Sequence, residues 1–256
     1  MSVSDATGLL RHRDRIEGDL VIEVAFTDVS LSLGDAADDA VRADALAQVA
    51  RETGAAPVLM HQVHGASVGS VGSVGSVGSV GSVGSVGSVG SVEDAGRAPT
   101  CDALVASQPG IALLARAADC VPVLLADPAT GWIAAVHSGR PGLAGGVVPA
   151  AVAAVRERGG DPTVAWIGPH VCGACYEVPA DLQEQVATVV PEARSTTSWG
   201  TPGLDLGAGV RAQLAAAGID DVRTVDACTR EDASWPSYRR DGDAATRFAG
   251  VIWSHR

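Results

Sequence analysis

Two apolar runs, Val121–Ala126 and residues 132–136, stand either side of Asp127-Pro128-Ala129-Thr130-Gly131. A five-residue link with Pro and Gly at these positions reverses the chain sharply, so the runs read as one β-hairpin. If Asp127 lies opposite Trp132, every paired position sums to 259, and His137 faces Pro122. Cys120 then sits two residues further along the same face, roughly 7–8 Å away by the diagonal spacing of a sheet. The expectation is that a thiol and an imidazole meet at the open end of this hairpin. A slip of one residue would send them to opposite faces, so the register carries the inference.

The remaining pattern places this hairpin in a mixed α/β or α+β fold, expected as one domain over residues 1–256. Strands are expected over 20–26, 57–63, 101–106, 111–117, 164–167 and 222–225, with helices over 40–53, 147–158, 181–190 and 204–217. Gly54 is placed to cap the first helix. The strand over 57–63 is expected to deliver His61 and His64 to its end. Residues 69–92 are eight consecutive Gly-Ser-Val triplets. They lack the Pro-rich positions of collagen, and a period of three gives neither a two-faced strand nor an amphipathic helix. We expect a flexible surface insertion, with its first turn continuing a strand.

The bulk composition excludes several classes. A formal net charge of −12 opposes a phosphate backbone, so no nucleic-acid partner is expected. No apolar run reaches membrane-spanning length, and residues 1–15 hold no export-type stretch, so we expect a cytoplasmic protein without a membrane partner. Five cysteines, an odd number, then point to reduced thiols.

A soft thiolate and an imidazole suit zinc, and a third protein ligand would leave the fourth position open. His64 is the natural third donor beside Cys120 and His137. Against this stands the plainer reading, in which the histidines are hydrogen-bonded structural residues and Cys120 packs in a core. Asp119 either orients a ligand or begins a turn. The glycines of 139–146, Gly139 and Gly142 among them, precede a helix and leave backbone N–H groups for an anion, and Arg140 adds charge. The plain alternative is a tight strand-to-helix connection. Cys172 and Cys175 form one C-x-x-C pair, which by itself completes no zinc site and fits redox chemistry or packed thiols equally well.

His61-Gln62-Val63-His64, Ala118-Asp119-Cys120-Val121-Pro122, Ala135-Val136-His137-Ser138-Gly139, Gly168-Pro169 and Cys175-Tyr176-Glu177-Val178 together resemble the YfiH/YlmD laccase-domain proteins. Members are variously described as polyphenol oxidoreductases, peptidoglycan editing factors and purine nucleoside phosphorylases. Asp226-Ala227-Cys228-Thr229, Tyr238-Arg239-Arg240-Asp241-Gly242 and Arg247-Phe248-Ala249-Gly250 fit the same pattern, so the resemblance covers most of the chain. It implies a single α/β domain similar to the cytotoxic necrotizing factor deamidases, with His64, Cys120 and His137 as ligands of zinc, copper being the alternative metal. A multicopper set needs more imidazoles than the six histidines present, two of which, His12 and His255, lie near the termini.

The resemblance also implies the activity: phosphorolysis of purine nucleosides, with adenosine deamination and methylthioadenosine phosphorolysis in the same pocket. Cys120, His137 and Asp119 would be the catalytic group, with Arg140, Gly139 and Gly142 on the phosphate side. The competing reading is a metal-free cysteine amidase that edits cell-wall precursors, with Cys120 as nucleophile and His137 as its base. A third is a member that keeps the fold without catalysis.

Overall fold

A computed structural model describes residues 9–34, 37–72, 77–80, 90–92 and 98–256. The chain opens with β1 (Arg11–Ile16) and β2 (Val21–Phe26), then α1 (Asp39–Thr53) and β3 (Ala56–Val58). Within and beside the triplets lie β4 (Val68–Val71), β5 (Val77–Val80) and β6 (Gly90–Val92). Next come β7 (Ala103–Ala106), β8 (Ile111–Ala117), β9 (Val121–Ala126) and β10 (Ile133–Ser138), followed by α2 (Arg140–Ala144), α3 (Val147–Arg156) and β11 (Val164–Ile167). The last part holds α4 (Ala180–Val189), β12 (Arg194–Thr196), β13 (Pro202–Leu204), α5 (Leu206–Ala216), β14 (Asp221–Thr224), α6 (Tyr238–Asp241) and β15 (Phe248–His255).

These strands form two large mixed sheets that stack on one another. One runs β1-β2-β15-β8-β3, the other β14-β11-β9-β10-β7-β4-β5-β6, and β12 pairs β13 separately. Leu124, Ala135, Leu104 and Trp166 of the second sheet pack against Phe26, Leu113, Ala115 and Ile252 of the first. The opposite face of the second sheet, with Val123, Leu125 and Val136, is covered by Val148, Ala151 and Val155 of α3 and Leu206 and Val210 of α5. Ala45 and Val49 of α1 cover Ala25, Leu114 and Val251 on the outside of the first. Strands buried on both faces need apolar residues at every position, which is why the hairpin runs do not alternate with polar ones. Fully burying a Leu or Phe contributes about 1.5–3 kcal/mol, so this four-layer stack carries the stability of the molecule.

The hairpin has the expected register: Ile133 pairs with Ala126 and His137 with Pro122. Asp127 makes the turn. Its backbone N–H donates to the Trp132 carbonyl (2.8 Å), and its carboxylate accepts from Ala129 N–H (2.9 Å), the Thr130 hydroxyl and Asp161 N–H (2.8 Å). Helix α1 ends at left-handed Gly54 as expected, and the Asp38 side chain caps its other end. Among the described residues no helix is long and apolar enough to cross a membrane.

Three expectations are corrected. The strand over 57–63 is short, ending at Val58, and His61 makes only an isolated bridge to Thr100. The backbone of 63–65 is diverted because a carboxylate captures its N–H groups, as described below. The connection over 139–146 is not an open loop: Arg140–Ala144 is a short helix, with Leu143 N–H donating to Gly139 O and Gly145 N–H to Pro141 O. The triplet stretch, expected as a flexible insertion over 69–92 whose first turn continues a strand, contributes not only β4 but also β5 and β6 to the second sheet, while residues 73–76 and 81–89 lie outside those described. The reason is a symmetry of the repeat. When two Gly-Ser-Val tracts run antiparallel, Val falls opposite Val and Gly opposite Ser, as in Val68 with Val80 and Gly69 with Ser79. Backbone pairing along an edge then needs no apolar face.

Candidate metal centre

At the open end of the hairpin, His64, Cys120 and His137 bring three ligand atoms within 4.8 Å of one another. The two imidazoles meet edge to face, with centroids 4.8 Å apart. His137 is buried, Cys120 half-buried and His64 exposed, so the cluster opens to solvent on one side.

Asp102 organises this arrangement, and sequence reasoning missed it. Its fully buried carboxylate accepts from His64 N–H (2.9 Å), Gly65 N–H (2.6 Å) and Val63 N–H (3.3 Å), and meets His137 Nδ1 at 2.9 Å. With Nδ1 committed to Asp102, Nε2 is the imidazole atom left for a metal, the usual carboxylate–histidine arrangement behind a ligand. The bonds to 63–65 hold His64 at φ 60°. A left-handed non-Gly residue costs roughly 1–2 kcal/mol, which charge-assisted bonds to a buried carboxylate outweigh. The only trace of this in the sequence is an acidic residue just before an all-apolar strand.

Asp119, beside Cys120, is also left-handed, at φ 87°. Its carboxylate accepts from the Thr229 hydroxyl (2.7 Å) and Arg239 N–H (2.6 Å), and its carbonyl from Val171 N–H (3.1 Å). Asp119 therefore anchors the turn that presents Cys120. Gly139 lies against the cluster: a Cβ there would stand 2.7 Å from His64 Cδ2 and 3.0 Å from Cys120 Sγ. At Gly142 a Cβ would stand 2.9 Å from the Gly65 carbonyl, so both glycines permit close packing of α2 on the His64 turn.

The cluster forms the floor of a cavity of about 720 Å³. Arg116, Arg140, Arg239 and Arg247 line it together with Gln62, Tyr176 and Tyr238. Four arginines line one cavity in a chain of net charge −12 and mark a local site for an anion, although the buried Arg116 gives its guanidinium to the Leu33 and Met60 carbonyls (3.0 and 3.3 Å). Arg140 was expected here; the other three come from distant segments. Arg239 stacks on Tyr176 with its guanidinium 4.4 Å from the ring centroid and donates to the Glu177 carbonyl (2.9 Å). Gln62 brackets the Arg116 backbone, accepting from its N–H (2.9 Å) and donating to its carbonyl (2.8 Å).

Burial alone would raise the Cys120 thiol, but the charge of His137 and hydrogen bonds from His137 and His64 outweigh it and lower it to about 6. Burial would likewise lower His137, and the Cys120 thiolate and Asp102 instead raise it to about 9. Without metal the two form a thiolate–imidazolium pair. The other histidines lie elsewhere: His12 stacks on Trp235, His61 bridges Thr100, His170 is buried with Nδ1 on the Gly168 carbonyl, and His255 meets Glu23. The site thus gathers two imidazoles and one thiol, a donor set for one ion.

Residues 14–255 match the family model described as multi-copper polyphenol oxidoreductase laccase. A protein of Streptomyces coelicolor named purine nucleoside phosphorylase is 54% identical over 157 residues, covering 60% of this chain and 64% of that protein. One of Mycobacterium tuberculosis with the same name is 42% identical over 154 residues, covering 59% and 61%. The matched stretch thus spans less than two thirds of those relatives' length. Among solved structures, a Neisseria meningitidis protein superimposes with a TM-score of 0.73 at 26% identity, covering 94% of this chain and 98% of that one. YlmD from Geobacillus stearothermophilus gives a TM-score of 0.77 at 24% identity, covering 92% of each, a likeness of fold.

Proposed function

The chain belongs to the multi-copper polyphenol oxidoreductase laccase family, and from that premise we propose that it is a purine nucleoside phosphorylase working at a single zinc ion. His64, Cys120 and His137 would hold the ion. The observation that carries this reading is their convergence, within 4.8 Å, on the floor of an arginine-lined cavity. The donor set fits: one thiol and two imidazoles suit zinc, with copper the alternative metal, and Gly139 leaves bare the space a Cβ would take from His64 and Cys120. The names of the Streptomyces and Mycobacterium relatives support the substrate class.

Held by these three residues, the ion would supply Lewis-acid polarisation. Asp102 holds His137 in one tautomer and fixes the His64 turn. Arg140, assisted by the cavity's other guanidinium groups, binds phosphate and orients one of its oxygens toward C1′ of the ribose. The new C1′–O bond forms as the bond from C1′ to the purine nitrogen breaks. Tyr238, with its ring half exposed at the cavity wall, offers a flat surface to the base. The reading extends to methylthioadenosine as a second phosphorolysis substrate and to deamination of adenosine at C6.

The low Cys120 thiol and its imidazolium partner favour one competitor, a metal-free cysteine amidase acting on cell-wall precursors. His64 separates the two, because a nucleophile–base pair needs no third donor. The test is release of adenine from adenosine with and without phosphate, in wild type and Arg140→Ala. A guanidinium–phosphate contact is worth about 1.5–3 kcal/mol, so phosphorolysis should slow by about one to two orders of magnitude. Deamination, which uses no phosphate, should change much less. Equal loss of both activities, or of neither, would remove Arg140 from the phosphate site; absence of phosphate-dependent cleavage in the zinc-loaded protein would end the phosphorylase reading.

A further inference from the structure

A second group of soft ligands lies outside the cavity. Cys172, Cys175, Cys228 and Glu231 offer four ligand atoms, all within 4.8 Å of one another. They come from two turns of the same form. The Cys172 carbonyl accepts from Cys175 N–H (2.9 Å) and Tyr176 N–H (3.0 Å); the Cys228 carbonyl accepts from Glu231 N–H (3.1 Å) and Asp232 N–H (2.9 Å). Each turn brings residues i and i+3 to one side, so a C-x-x-C pair faces a C-x-x-E pair. A parallel bridge between His170 and Cys228 clamps the two turns, with Thr229 N–H donating to the His170 carbonyl (3.0 Å). The Cys172 N–H donates to the Cys228 sulfur (3.4 Å). All the cysteines are free thiols.

We propose that Cys172, Cys175, Cys228 and Glu231 form a structural zinc site, distinct from the one under the cavity. Tetrahedral thiolates at Zn–S distances of about 2.3 Å stand roughly 3.8 Å apart, so a small contraction of the cluster closes it around an ion. Three thiolates and a carboxylate fill four positions and leave none for substrate. The site braces the reaction centre. Val171 and Thr229, each one residue from a ligand, are two of the three groups that hold Asp119 beside Cys120, the third being the Arg239 N–H, and Tyr176 follows Cys175 into the cavity wall.

The test is zinc content of the full-length protein, purified under reducing conditions and freed of loose metal, in four forms: wild type, Cys120→Ala, Cys228→Ala and the double variant. In the Cys120→Ala background the count reads this site alone, whatever becomes of the ion under the cavity. Cys120→Ala should keep about one zinc per chain, as expected of a closed four-ligand site, and the double variant should lose it. Cobalt in Cys120→Ala should give the intense sulfur-to-metal absorption of several thiolates. Glu231→Ala removes an exposed side chain, so it should fold even if Cys228→Ala does not, and it should weaken zinc retention by tenfold or more against a competing chelator. Zinc that Cys120→Ala fails to retain, or retains equally in Cys228→Ala and Glu231→Ala backgrounds, would overturn the proposal. So would a disulfide among these cysteines in protein that takes up no zinc.

Discussion

The two cysteine-bearing clusters start from the same side chain and drive it in opposite directions. Burial raises the thiol in both. At Cys120 the neighbours are His137 and His64, whose charge and hydrogen bonds overcome burial and bring the thiol to about 6. At Cys172 the neighbours are other sulfurs, which add to burial and leave it at about 12. One cluster is open to a cavity lined by arginines and backed by a carboxylate that fixes the imidazole. The other is closed on itself by two turns. Partner identity, more than depth, decides which thiol is reactive and which is fit only to hold an ion in place.

Removing the carboxylate should break the open cluster most completely. Asp102→Ala takes a shared acceptor from three backbone N–H groups and His137, which is the loss of one partner from a buried charged network. Such losses cost on the order of 3–5 kcal/mol, and support behind a metal ligand is worth about 10–100-fold in affinity. We expect a large drop in urea stability and loss of zinc from the cavity site, with phosphorolysis abolished. Near-normal metal content and activity in this variant would mean that His64 and His137 are held by something else.

The contrast in thiols can be read directly in metal-stripped protein with a disulfide reagent. At pH 7 Cys120 is mostly thiolate, whereas Cys172 carries roughly 10⁵-fold less by their values of about 6 and about 12. A low-pKa thiolate is the weaker nucleophile, which returns roughly 10²–10³ of that factor. Cys120 should still react on the order of a hundredfold faster. Because its value is depressed, its rate should hold on a plateau above pH 6 and fall as pH drops through it. His137 is raised, so the charged pair should survive from about pH 6 to about pH 9 and dissolve on the alkaline side as the imidazolium loses its proton. A rate still climbing between pH 8 and 9 would show an ordinary thiol.

This comparison also separates what the residues disclosed from what they hid. The hairpin was legible because Asp127-Pro128 and Gly131 fix a turn, and the turn sets the register of two apolar runs that carry no alternation of their own. That local geometry brought Cys120 toward His137. Asp102 was not legible, since it lies 38 residues from His64 and 35 from His137, and no local pattern marks which carboxylate will be buried. Cys228 and Glu231 escaped for the same reason: C-x-x-E is unremarkable until a parallel bridge sets it opposite Cys172 and Cys175. Strand β15, central in its sheet, was seen only as part of a motif. The triplets misled because antiparallel tracts of the repeat set Val opposite Val by backbone symmetry, a pairing that no helical or alternating pattern announces.

A smaller effect would show whether the two clusters are independent. Gly139→Ala places a methyl 2.7 Å from His64 Cδ2, closer than real side chains approach, so the imidazole must shift. Zinc affinity at the cavity should fall by about 10–100-fold, the range for disturbing a ligand's support. The ion of the cysteine turns should stay, so metal content should drop by one equivalent and no further. Loss of both ions together would show that the clusters form one cooperative unit.

The smallest change is expected where the sheet is longest. Deleting Gly78–Val92, five triplets, removes β6 and most of β5 but leaves β4 paired to β7 through Val68, Gly69 and Ser70. Two terms oppose each other. Shortening the connection lowers its closure cost by about 0.6 kcal/mol for each halving of length. Against that stands the lost backbone pairing of outer strands made of Gly, Ser and Val, where Gly weakens a strand. Neither term exceeds the other by much, so stability in urea should move by about 1 kcal/mol or less. Both zinc equivalents and the Arg140-dependent activity should be unchanged, because the His64 turn is held by Asp102 and not by the repeat. A cooperative loss of folding on this deletion would make the outer strands part of the core sheet. A selective loss of the cavity zinc would instead show that the repeat steadies His64 from beyond Val68.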